Sequence, residues 1–508
     1  MTPQRGIDAE FLALPRTHLA DAALAAATAA GASHADLRIH RITTETIALR
    51  DAALETAVRT RDLGLAVRVI VDGTWGFASH AELTAEVAAA TARRAVEVAR
   101  TLAALNRDRV EWADEPVYRD VQWVSHYDID PFEVPTAEKI AVLDDYSGRL
   151  LTAGVDHVSA ALMAVKEQIF YADTAGSSIT QQRVRLMPTC EATVVGGAGT
   201  DGFDSMRTLA PPSGRGWEAV AGDRIWNWTE ELAQLPGWLA EKMAAPSVAA
   251  GPTDLVIDPS NLWLTIHESV GHATEYDRAI GYEAAYAGTS FATPDQLGLL
   301  RYGSPAMTVT ADRTEEFGLA TIGYDDDGVA AQRWDLVRDG IFVGYQLDRV
   351  FAHRLDHTGA ARSNGCSYAD SPHHVPIQRM ANVSLQPGPQ DLSTADLISR
   401  VDDGIYVVGD RSWSIDMQRY NFQFTGQRFY RIRDGQLAGQ LRDVAYQATT
   451  TEFWNSMEAV GGPSTWVLGG AFNCGKAQPG QVAAVSHGCP SALFRGVNVL
   501  NTRAEGGR

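Results

Sequence analysis

The chain has 508 residues, of which 45% are hydrophobic and 21% are charged, and its formal net charge is −20. This length exceeds one ordinary hydrophobic core, so we expect two or more domains. The acidic balance, with no basic stripe to offset it, argues against nucleic acid as a partner. No uninterrupted apolar run is long enough to cross a bilayer, so no membrane association is expected.

The first residues and the cysteines both favour a reducing compartment. The stretch 1–6 lacks the apolar core of a secretory signal. The cysteines are far apart and form no C-x-x-C pair, which argues against a disulfide framework. We therefore expect a cytoplasmic protein. The four cysteines are Cys190, Cys366, Cys474 and Cys489.

The first half of the chain alternates between helical and strand-like patterns. Apolar periodicity and turn residues divide it into successive elements. A turn is expected at Asp72-Gly73, between two strand-like segments. The predicted elements are a helix over 17–31, strands over 37–50 and 56–71, a helix over 82–105, a helix over 136–151, strands over 155–172 and 183–196, a mobile loop over 197–216, and a helix over 217–242.

The second half is separated by a linker rich in Ala, Pro and Gly at 244–252. We place an N-terminal domain at 1–245 and a C-terminal domain at 251–508. Segment 279–296 is interpreted as either a lid or a loop. The fold class predicted is α+β: an N-terminal helix-and-sheet domain followed by a strand-rich antiparallel β domain. Three Asp-Gly pairs between apolar runs predict hairpins, namely Asp339-Gly340, Asp403-Gly404 and Asp434-Gly435.

A short helix is predicted directly after the linker and a buried strand at 255–257. Asp258 is suited to cap its N-terminus, and Pro259 to occupy its first position. Leu262 and Ile266 give this helix an apolar face. The residues that follow therefore continue from a rigid element that is suited to hold metal ligands.

His267, Glu268 and His272 follow this helix as the pattern H-E-x-x-x-H. In the H-E-x-x-H pattern of zinc proteases the histidines are four residues apart, on one helical face. Five residues rotate the second side chain by roughly 140° from the first in a regular α-helix. A wide π-type turn would bring both imidazoles to one side, and Gly271 would make such a distortion cheap. The spacing alone leaves a solvated helix with two ordinary histidines as the alternative.

The H-E-x-x-x-H pattern and six further stretches resemble the TldD/PmbA family of metallopeptidases. The resemblance extends over nearly the whole chain, and the combination of motifs is specific. The further stretches are 47–51, 64–69, 323–329, 344–349, 376–382 and Cys474-Gly475-Lys476.

The resemblance implies a zinc ion bound by His267, His272 and Cys474, with Glu268 as the catalytic base. Three protein ligands and one open position are typical of catalytic zinc. The resemblance also implies a TldD-like catalytic subunit that acts on unfolded or flexible peptides. Its expected partner is a related, catalytically silent PmbA/TldE-type subunit, and a homodimer is the other possibility.

Four other residues compete with this assignment or supplement it. Cys489 is a rival thiol, although its position does not match the family's cysteine. Glu275 follows His272 at helical spacing, so it is a second contact of the metal site, a substitute ligand or a solvated carboxylate. Asp277 is a weaker candidate of the same kind. His487 lies in a Gly-Pro loop from which it would have to approach the site.

The remaining histidines favour an ordinary surface role. His353 and His357 are four residues apart, but no carboxylate lies between them as in the zinc-protease pattern. His373 and His374 are adjacent in a Pro-flanked loop, where neighbouring side chains diverge.

Segments 362–374 and 409–420 depart from the commoner family pattern. If they line the cleft, the substrate differs as well. The second hypothesis is therefore a metal-dependent hydrolase of an amide or related bond in a small biosynthetic intermediate. A third is a non-catalytic partner subunit. The intact His267, Glu268, His272 and Cys474 argue against the third.

Overall fold

A computed structural model describes residues 6–196, 202–355 and 362–505. The helices of these residues are α1 (Ala9–Leu12), α2 (Arg16–Ala29), α3 (Ala85–Ala103), α4 (Thr136–Thr152), α5 (Trp228–Ala244), α6 (Pro259–Ile266), α7 (Tyr276–Ala279), α8 (Arg349–Leu355), α9 (Thr394–Ile398), α10 (Thr450–Asn455) and α11 (Thr502–Glu505). None of these helices combines the length and the apolar character that a bilayer crossing requires.

The strands before the linker form one mixed sheet, in the order β3-β2-β1-β5-β6-β4 with β7 paired to β6. All of its pairs are antiparallel except β4 with β6. Its strands are β1 (His34–Arg50), β2 (Ala53–Val71), β3 (Thr74–His80), β4 (Val121–Val124), β5 (His157–Asp173), β6 (Ser178–Val195) and β7 (Phe203–Arg207).

The long strand β1 contributes to two separate cores of this sheet. Leu37 and Ile39 pack with helices α2 and α3 in one core. Ile47 and Leu49, at the other end of the strand, pack with α4 and α5 in the second core. Helices therefore cover both ends of the sheet and stabilise it by burying apolar surface.

The strands after the linker form a second large sheet and three small ones. The large sheet has the order β15-β8-β22-β18-β16-β17, with β19 paired to β22, and only its β15–β8 pair is parallel. The small sheets are β11-β10-β9-β14, β12-β13 and β20-β21. These strands are β8 (Gly251–Ile257), β9 (Val309–Asp312), β10 (Arg333–Arg338), β11 (Ile341–Phe342), β12 (Ser367–Tyr368), β13 (Ile377–Gln378), β14 (Asn382–Leu385), β15 (Asp403–Ile415), β16 (Asn421–Arg433), β17 (Gln436–Leu441), β18 (Val444–Thr449), β19 (Met457–Val460), β20 (Val467–Lys476), β21 (Gln481–Cys489) and β22 (Ala492–Asn501).

The predicted α+β class is confirmed, with helices on the first sheet and mostly antiparallel strands after it. The first sheet uses only strands before residue 208, and the others use only strands after residue 250. The domain limits at 245 and 251 stay a prediction.

Buried ion pairs connect the first sheet to the second half of the chain. Arg38 Nη1 lies 2.5 Å from Asp326 Oδ2, and Arg68 Nη2 lies 2.8 Å from Asp327 Oδ1. Both arginines are on the first sheet, and both carboxylates belong to the family-like stretch 323–329. That stretch therefore joins the two halves of the chain.

Two of the three predicted hairpins are confirmed. Asp339-Gly340 and Asp434-Gly435 have positive φ at both residues and connect β10 to β11 and β16 to β17. The prediction for Asp403-Gly404 is wrong, because these residues begin β15 instead. Gly404 pairs there with Asp254 of β8. The Asp-Gly signal does not distinguish a turn from the start of a strand.

Two predicted boundaries are also wrong. Within the expected loop over 197–216, residues 203–207 form β7 on the edge of the first sheet, and residues 197–201 lie outside the described part of the chain. The helix expected over 217–242 is one 3₁₀ turn at Trp217–Ala219, followed by α5 from Trp228. Segment 279–296 is a loop whose Thr289 N donates to Met417 O.

Candidate metal centre

The helix that leads into the candidate site begins as predicted. Asp258 accepts a hydrogen bond from Ser260 N at 3.0 Å, and Pro259 occupies the first position of α6. From His267 to Gly271 the backbone is π-helical, and a 3₁₀ turn follows at His272–Thr274. The wide turn predicted from the five-residue spacing is therefore confirmed, and it places both histidines on one side.

The family-like stretches 344–349 and 376–382 hold this wide turn. Gln346 Nε2 donates to Gly271 O at 2.7 Å, and Gln346 N donates to Thr274 O at 2.9 Å. The reason for the glycine differs from our expectation. Gly271 has φ −53°, which any residue adopts, but an added Cβ would lie 2.6 Å from Met380 Sδ. Glycine leaves room here for the Met380 side chain, whose flexible end would have to shift to accommodate a Cβ.

The structure brings His267, His272 and Cys474 together. One ligand atom from each lies within 4.8 Å of the others, and all three side chains are buried. Cys474 Sγ lies 3.6 Å from His272 Nε2. A tetrahedral zinc ion with usual bond lengths separates a sulfur and a nitrogen ligand by about 3.6 Å. Among the described residues, no other group of three His, Cys, Asp or Glu side chains converges in this way.

His487 orients the first histidine of the group. Its Nδ1 lies 2.8 Å from the carbonyl oxygen of Val383, so this nitrogen donates. His487 Nε2 then accepts from His267 Nδ1 at 2.7 Å, which leaves the lone pair of His267 on Nε2. Burial and the adjacent His267 hold the pKa of His487 well below its ordinary value. His487 therefore approaches the site as a neutral acceptor beside a candidate ligand.

Glu275 orients the second histidine. Its Oε2 accepts from His272 Nδ1 at 2.8 Å, and its Oε1 lies 3.1 Å from Lys476 Nζ. Burial favours the neutral acid, but Lys476, His272 and Arg278 outweigh it and hold the pKa of Glu275 well below its ordinary value. Of the three roles left open by the sequence, the structure favours an orienting carboxylate, because Nδ1 is the nitrogen that Glu275 contacts.

Lys476 is a functional contact that sequence reasoning missed, although it belongs to the Cys474-Gly475-Lys476 stretch. Its Nζ lies 2.8 Å from Asp277 Oδ2 and 2.7 Å from Gln378 Oε1, in addition to its contact with Glu275. The ammonium group pairs with two buried carboxylates, of which Glu275 contacts His272.

Cys474 lies in strand β20, next to a register shift between β20 and β21. Its carbonyl oxygen accepts from Arg379 Nη2 at 2.5 Å. Burial raises the pKa of the Cys474 thiol, but His272 and Arg379 outweigh it and lower the pKa below its ordinary value. A thiol with a lowered pKa is suited to bind a metal as thiolate.

Glu268 forms an ion pair that the sequence did not predict. Its Oε2 lies 2.6 Å from Arg419 Nη1. Burial would raise the pKa of Glu268, but His267, His272 and Arg419 outweigh it and lower the pKa, so the carboxylate is ionised at neutral pH. The only sequence signal for this ion pair was that Arg419 lies in the divergent segment 409–420.

A cavity of about 480 Å³ opens onto these residues. Residues from both halves of the chain line it, including Pro188, Leu209, Trp263, Trp413, Arg419 and Phe472 together with His267, Glu268, His272 and Cys474. Segment 409–420 thus lines the cleft. Segment 362–374 does not contribute to it, and its Ser371 and His374 carbonyls instead accept from Arg38 of the first sheet. A larger cavity of about 650 Å³ has Asp277 in its lining, but its lining includes none of His267, Glu268, His272 and Cys474.

The rival candidates lie elsewhere. Cys489 donates to Pro259 O at 3.6 Å, and burial raises its pKa well above the ordinary value. His353 pairs with Glu111, whereas His357 lies outside the described residues. His374 Nδ1 lies 2.6 Å from Asp370, and His373 Nδ1 lies 3.3 Å from Ser79 Oγ.

Comparisons with known proteins agree with these features. Residues 250–501 match the family model of the PmbA/TldA metallopeptidase C-terminal domain, and residues 35–99 match that of domain 1. A metalloprotease of Methanothermobacter thermautotrophicus is 28% identical over 473 residues, which cover 92% of this chain and 96% of that protein. A metalloprotease TldD homolog of Haemophilus influenzae is 25% identical over 484 residues, covering 92% and 93%.

The fold is also that of a solved relative. The crystal structure of TldE from Thermococcus kodakarensis superposes with a TM-score of 0.68 at 15% identity, covering 95% of this chain and 99% of that one. This likeness concerns the fold alone. The two matched family models, together with the metalloprotease relatives, lead to one conclusion: the chain belongs to the PmbA/TldD family of metallopeptidases.

Proposed function

We propose that this chain is a zinc-dependent peptidase of the catalytic TldD type, which hydrolyses peptide bonds in unfolded or flexible peptides. The observation that carries the proposal is the convergence of His267, His272 and Cys474 within 4.8 Å in the cavity that also contains Glu268. Two imidazoles and one thiol leave the fourth position of a tetrahedral zinc ion open, as catalytic sites require.

The side chains present fit zinc by their chemistry as well as by their distances. The Nδ1 atoms of His267 and His272 are both engaged, so both Nε2 atoms are free to bind a metal. A zinc ion bound there supplies Lewis acidity, which acidifies water and polarises a carbonyl group. His487 and Glu275 keep the two imidazoles in the tautomer and orientation that ligation needs.

Glu268 is the proposed general base. Its lowered pKa keeps the carboxylate ionised at neutral pH, the form that accepts a proton. In the proposed reaction Glu268 takes a proton from the attacking water and transfers it to the leaving amine. The C–N bond breaks, and the water oxygen joins the acyl carbon. The contact of Glu268 Oε2 with Arg419 Nη1 at 2.6 Å competes with this role, because a carboxylate oxygen that accepts from a guanidinium is a weaker base.

The proposal includes a cytoplasmic location and a partner subunit of the PmbA/TldE type, with a homodimer as the other arrangement. Both rest on the family resemblance. A non-catalytic role for this chain is disfavoured, because a silent subunit has no need of a buried cluster of two histidines and a cysteine with oriented ring nitrogens.

One observation favours the second candidate function, a metal-dependent hydrolase of an amide in a small biosynthetic intermediate. The divergent segment 409–420 contributes Asp410, Arg411, Trp413 and Arg419 to the lining of the cavity. A changed lining alters which substrate fits, while the ligands and the base stay the same.

The proposal is tested with the purified chain in zinc-loaded and chelator-stripped form, alone and mixed with a PmbA-type subunit. We expect cleavage of flexible peptides only in the zinc-loaded form. Glu268→Gln should retain zinc and fold, while kcat falls by about 10²–10⁴-fold, the usual contribution of a general base. Glu55→Gln, which changes an exposed carboxylate of β2 outside the cavity, is the control. Normal turnover without metal, or in Glu268→Gln, would refute the proposal. Cleavage of small amides but not peptides would favour the second candidate.

A further inference from the structure

Arg419 lies in the short turn between β15 and β16, and the turn fixes its conformation. Its φ is +63°, in the left-handed region that non-glycine residues seldom adopt. Asp416 holds the turn, because its carboxylate accepts from Gln418 N at 3.0 Å and from Tyr420 N at 2.8 Å. Arg419 O accepts from Thr450 Oγ1 at 2.8 Å. Strained backbone that its surroundings enforce is common at functional sites.

The guanidinium of Arg419 is buried in the cavity and only partly hydrogen-bonded. Its side chain is 14% exposed and its Nη1 contacts Glu268 Oε2 at 2.6 Å. Nη2 donates to Ala287 O at 3.2 Å. Nε is shielded from solvent and has no hydrogen-bond partner among the described residues. Nη1 and Nη2 each carry two hydrogens and each make one of these contacts, so the capacity of this guanidinium for a ligand lies on these two atoms rather than on the shielded Nε.

Arg419 differs from the other two arginines that line the cavity. Arg207 pairs with Asp410, and Arg411 pairs with Asp204. Both of these arginines are about 40% exposed, and neither of their partners is a candidate catalytic group. The partner of Arg419, in contrast, is the proposed base. A ligand that takes over Arg419 would release Glu268.

The charges around Arg419 favour an anionic ligand. With a divalent metal bound, the site would contain that ion, the Cys474 thiolate, the Glu268 carboxylate and the Arg419 guanidinium, which leaves a net positive charge. A guanidinium binds a carboxylate through two parallel hydrogen bonds, which gives both affinity and orientation.

We propose that Arg419 binds a carboxylate of the substrate and thereby frees Glu268. This inference rests on the proposed peptidase function and specifies its substrate class. Because Arg419 contacts the base directly, the bound carboxylate lies close to the scissile bond. The carboxylate belongs either to the free C-terminus, which makes the enzyme an exopeptidase, or to an acidic side chain next to the cleaved bond.

The experiment compares three peptides with the zinc-loaded enzyme. Two have the same sequence, one as the free acid and one as the C-terminal amide, and the third is the amide with an aspartate placed next to the cleaved bond. Wild type should prefer one of the carboxylate peptides over the plain amide by about 10–100-fold in kcat/KM, as expected for a charge-assisted hydrogen-bonded pair. Arg419→Met should reduce this preference to about unity, and Arg419→Lys should leave it intermediate. Arg433→Met, which changes an arginine outside the cavity that pairs with Asp403, is the matched control and should retain it.

Two results would overturn the inference. One is equal kcat/KM of wild type for all three peptides. The other is a loss in Arg419→Met that is the same for acid and amide, which would assign Arg419 to stabilisation of the developing oxyanion. If wild type cleaves none of the peptides, the proposed function fails. A binding measurement then tests the inference by itself. Zinc-loaded Glu268→Gln should bind one of the two carboxylate peptides at least about tenfold more tightly than the plain amide by calorimetry. Equal binding of all three peptides would refute the inference.

Discussion

The acidic stretch at 325–327 and the cluster around His267 are both buried, and both carry the family pattern, yet they use their polar atoms differently. Asp326 Oδ2 accepts from Arg38 and from Ala369 N, and Asp327 Oδ1 accepts from Ser367 Oγ and contacts Arg68. Every one of these contacts is with the chain itself. In the candidate metal centre, two ring nitrogens and a thiol instead converge within 4.8 Å of one another.

This comparison separates a structural cluster from a functional one. A buried charge whose oxygens are all matched by arginines and N–H groups stabilises one arrangement of the chain. Buried imidazole nitrogens and a thiolate that converge on one point all offer electron pairs, and a metal cation is a partner that suits all of them. Accordingly, we expect changes in the first cluster to alter stability, and changes in the second to alter metal binding.

The largest expected effect on stability concerns Arg68. Its Nε lies 2.9 Å from Asp36 Oδ2, and its guanidinium lies over the rings of Trp75 and Trp112. Arg68→Leu leaves Asp36 and Asp327 buried without this cation, so the free energy of unfolding should fall by about 3–5 kcal/mol. Denaturant unfolding of zinc-free protein measures this change.

The control for that variant is Arg411→Leu. Arg411 pairs with Asp204 but its side chain is 39% exposed, so its removal should cost at most about 1 kcal/mol. If Arg68→Leu were as mild as this control, the ion pairs at 325–327 would not stabilise the junction between the two halves. Zinc affinity should be the same in both variants as long as they are folded.

A smaller effect is expected from Glu275→Gln, which tests the second cluster. The amide keeps the shape of the side chain but loses the charge that holds His272 Nδ1 and Lys476 Nζ. Zinc affinity should fall by about 10–100-fold, as for other groups that orient a metal ligand. Competition with a chromophoric chelator measures it. Unchanged affinity would mean that Glu275 does not support the site, and Glu55→Gln, at an exposed position of β2, provides the reference for an unrelated carboxylate.

The smallest predicted effect is in the protons released when zinc binds. Metal binding displaces a proton only from a ligand that is protonated in the metal-free protein. The pKa values of Cys474 and His267 are both lowered, Cys474 because His272 and Arg379 outweigh burial, and His267 mainly by burial. Between the lowered pKa of Cys474 and an ordinary thiol value of about 8.5, zinc should therefore displace less than one proton, and zinc affinity should depend weakly on pH. Below the lowered pKa the affinity should fall.

Calorimetry in buffers of different protonation enthalpy counts these protons. A full proton released at neutral pH would show that the Cys474 thiol has an ordinary or raised pKa, as the buried Cys190 does, whose pKa burial raises to about 12.

The sequence predicted features that local chemistry determines. The Asp258 cap and the Pro259 start of α6 follow from residue types alone, and the five-residue spacing of the histidines required the wide turn that the structure contains. Contacts between distant positions were different. His487 lies 220 residues from His267, and no local signal states which ring nitrogen it contacts. Cys474 was assigned through the family resemblance, not through its surroundings.

Arg419 and β7 show why the rest was not predicted. Arg419 contacts Glu268 although 151 residues separate the two in the sequence, and it does so from a turn in which its φ is positive. A single arginine in a divergent segment does not predict such a contact. Residues 203–207 lie in a stretch rich in Gly, Pro and Ser, and they are a strand because the edge of β6 offers them unpaired backbone groups. Tertiary context decides both cases.

The central claim is that His267, His272 and Cys474 bind one metal ion. Its most direct test is the zinc content and zinc affinity of the purified wild type, Cys474→Ala and Cys489→Ala, a pair of buried cysteines of which only one is in the cluster. We predict about one zinc per chain in wild type and Cys489→Ala, and a loss of affinity of at least about 100-fold in a folded Cys474→Ala, since a direct ligand contributes more than an orienting group. Zinc bound by Cys474→Ala as tightly as by wild type would contradict the account.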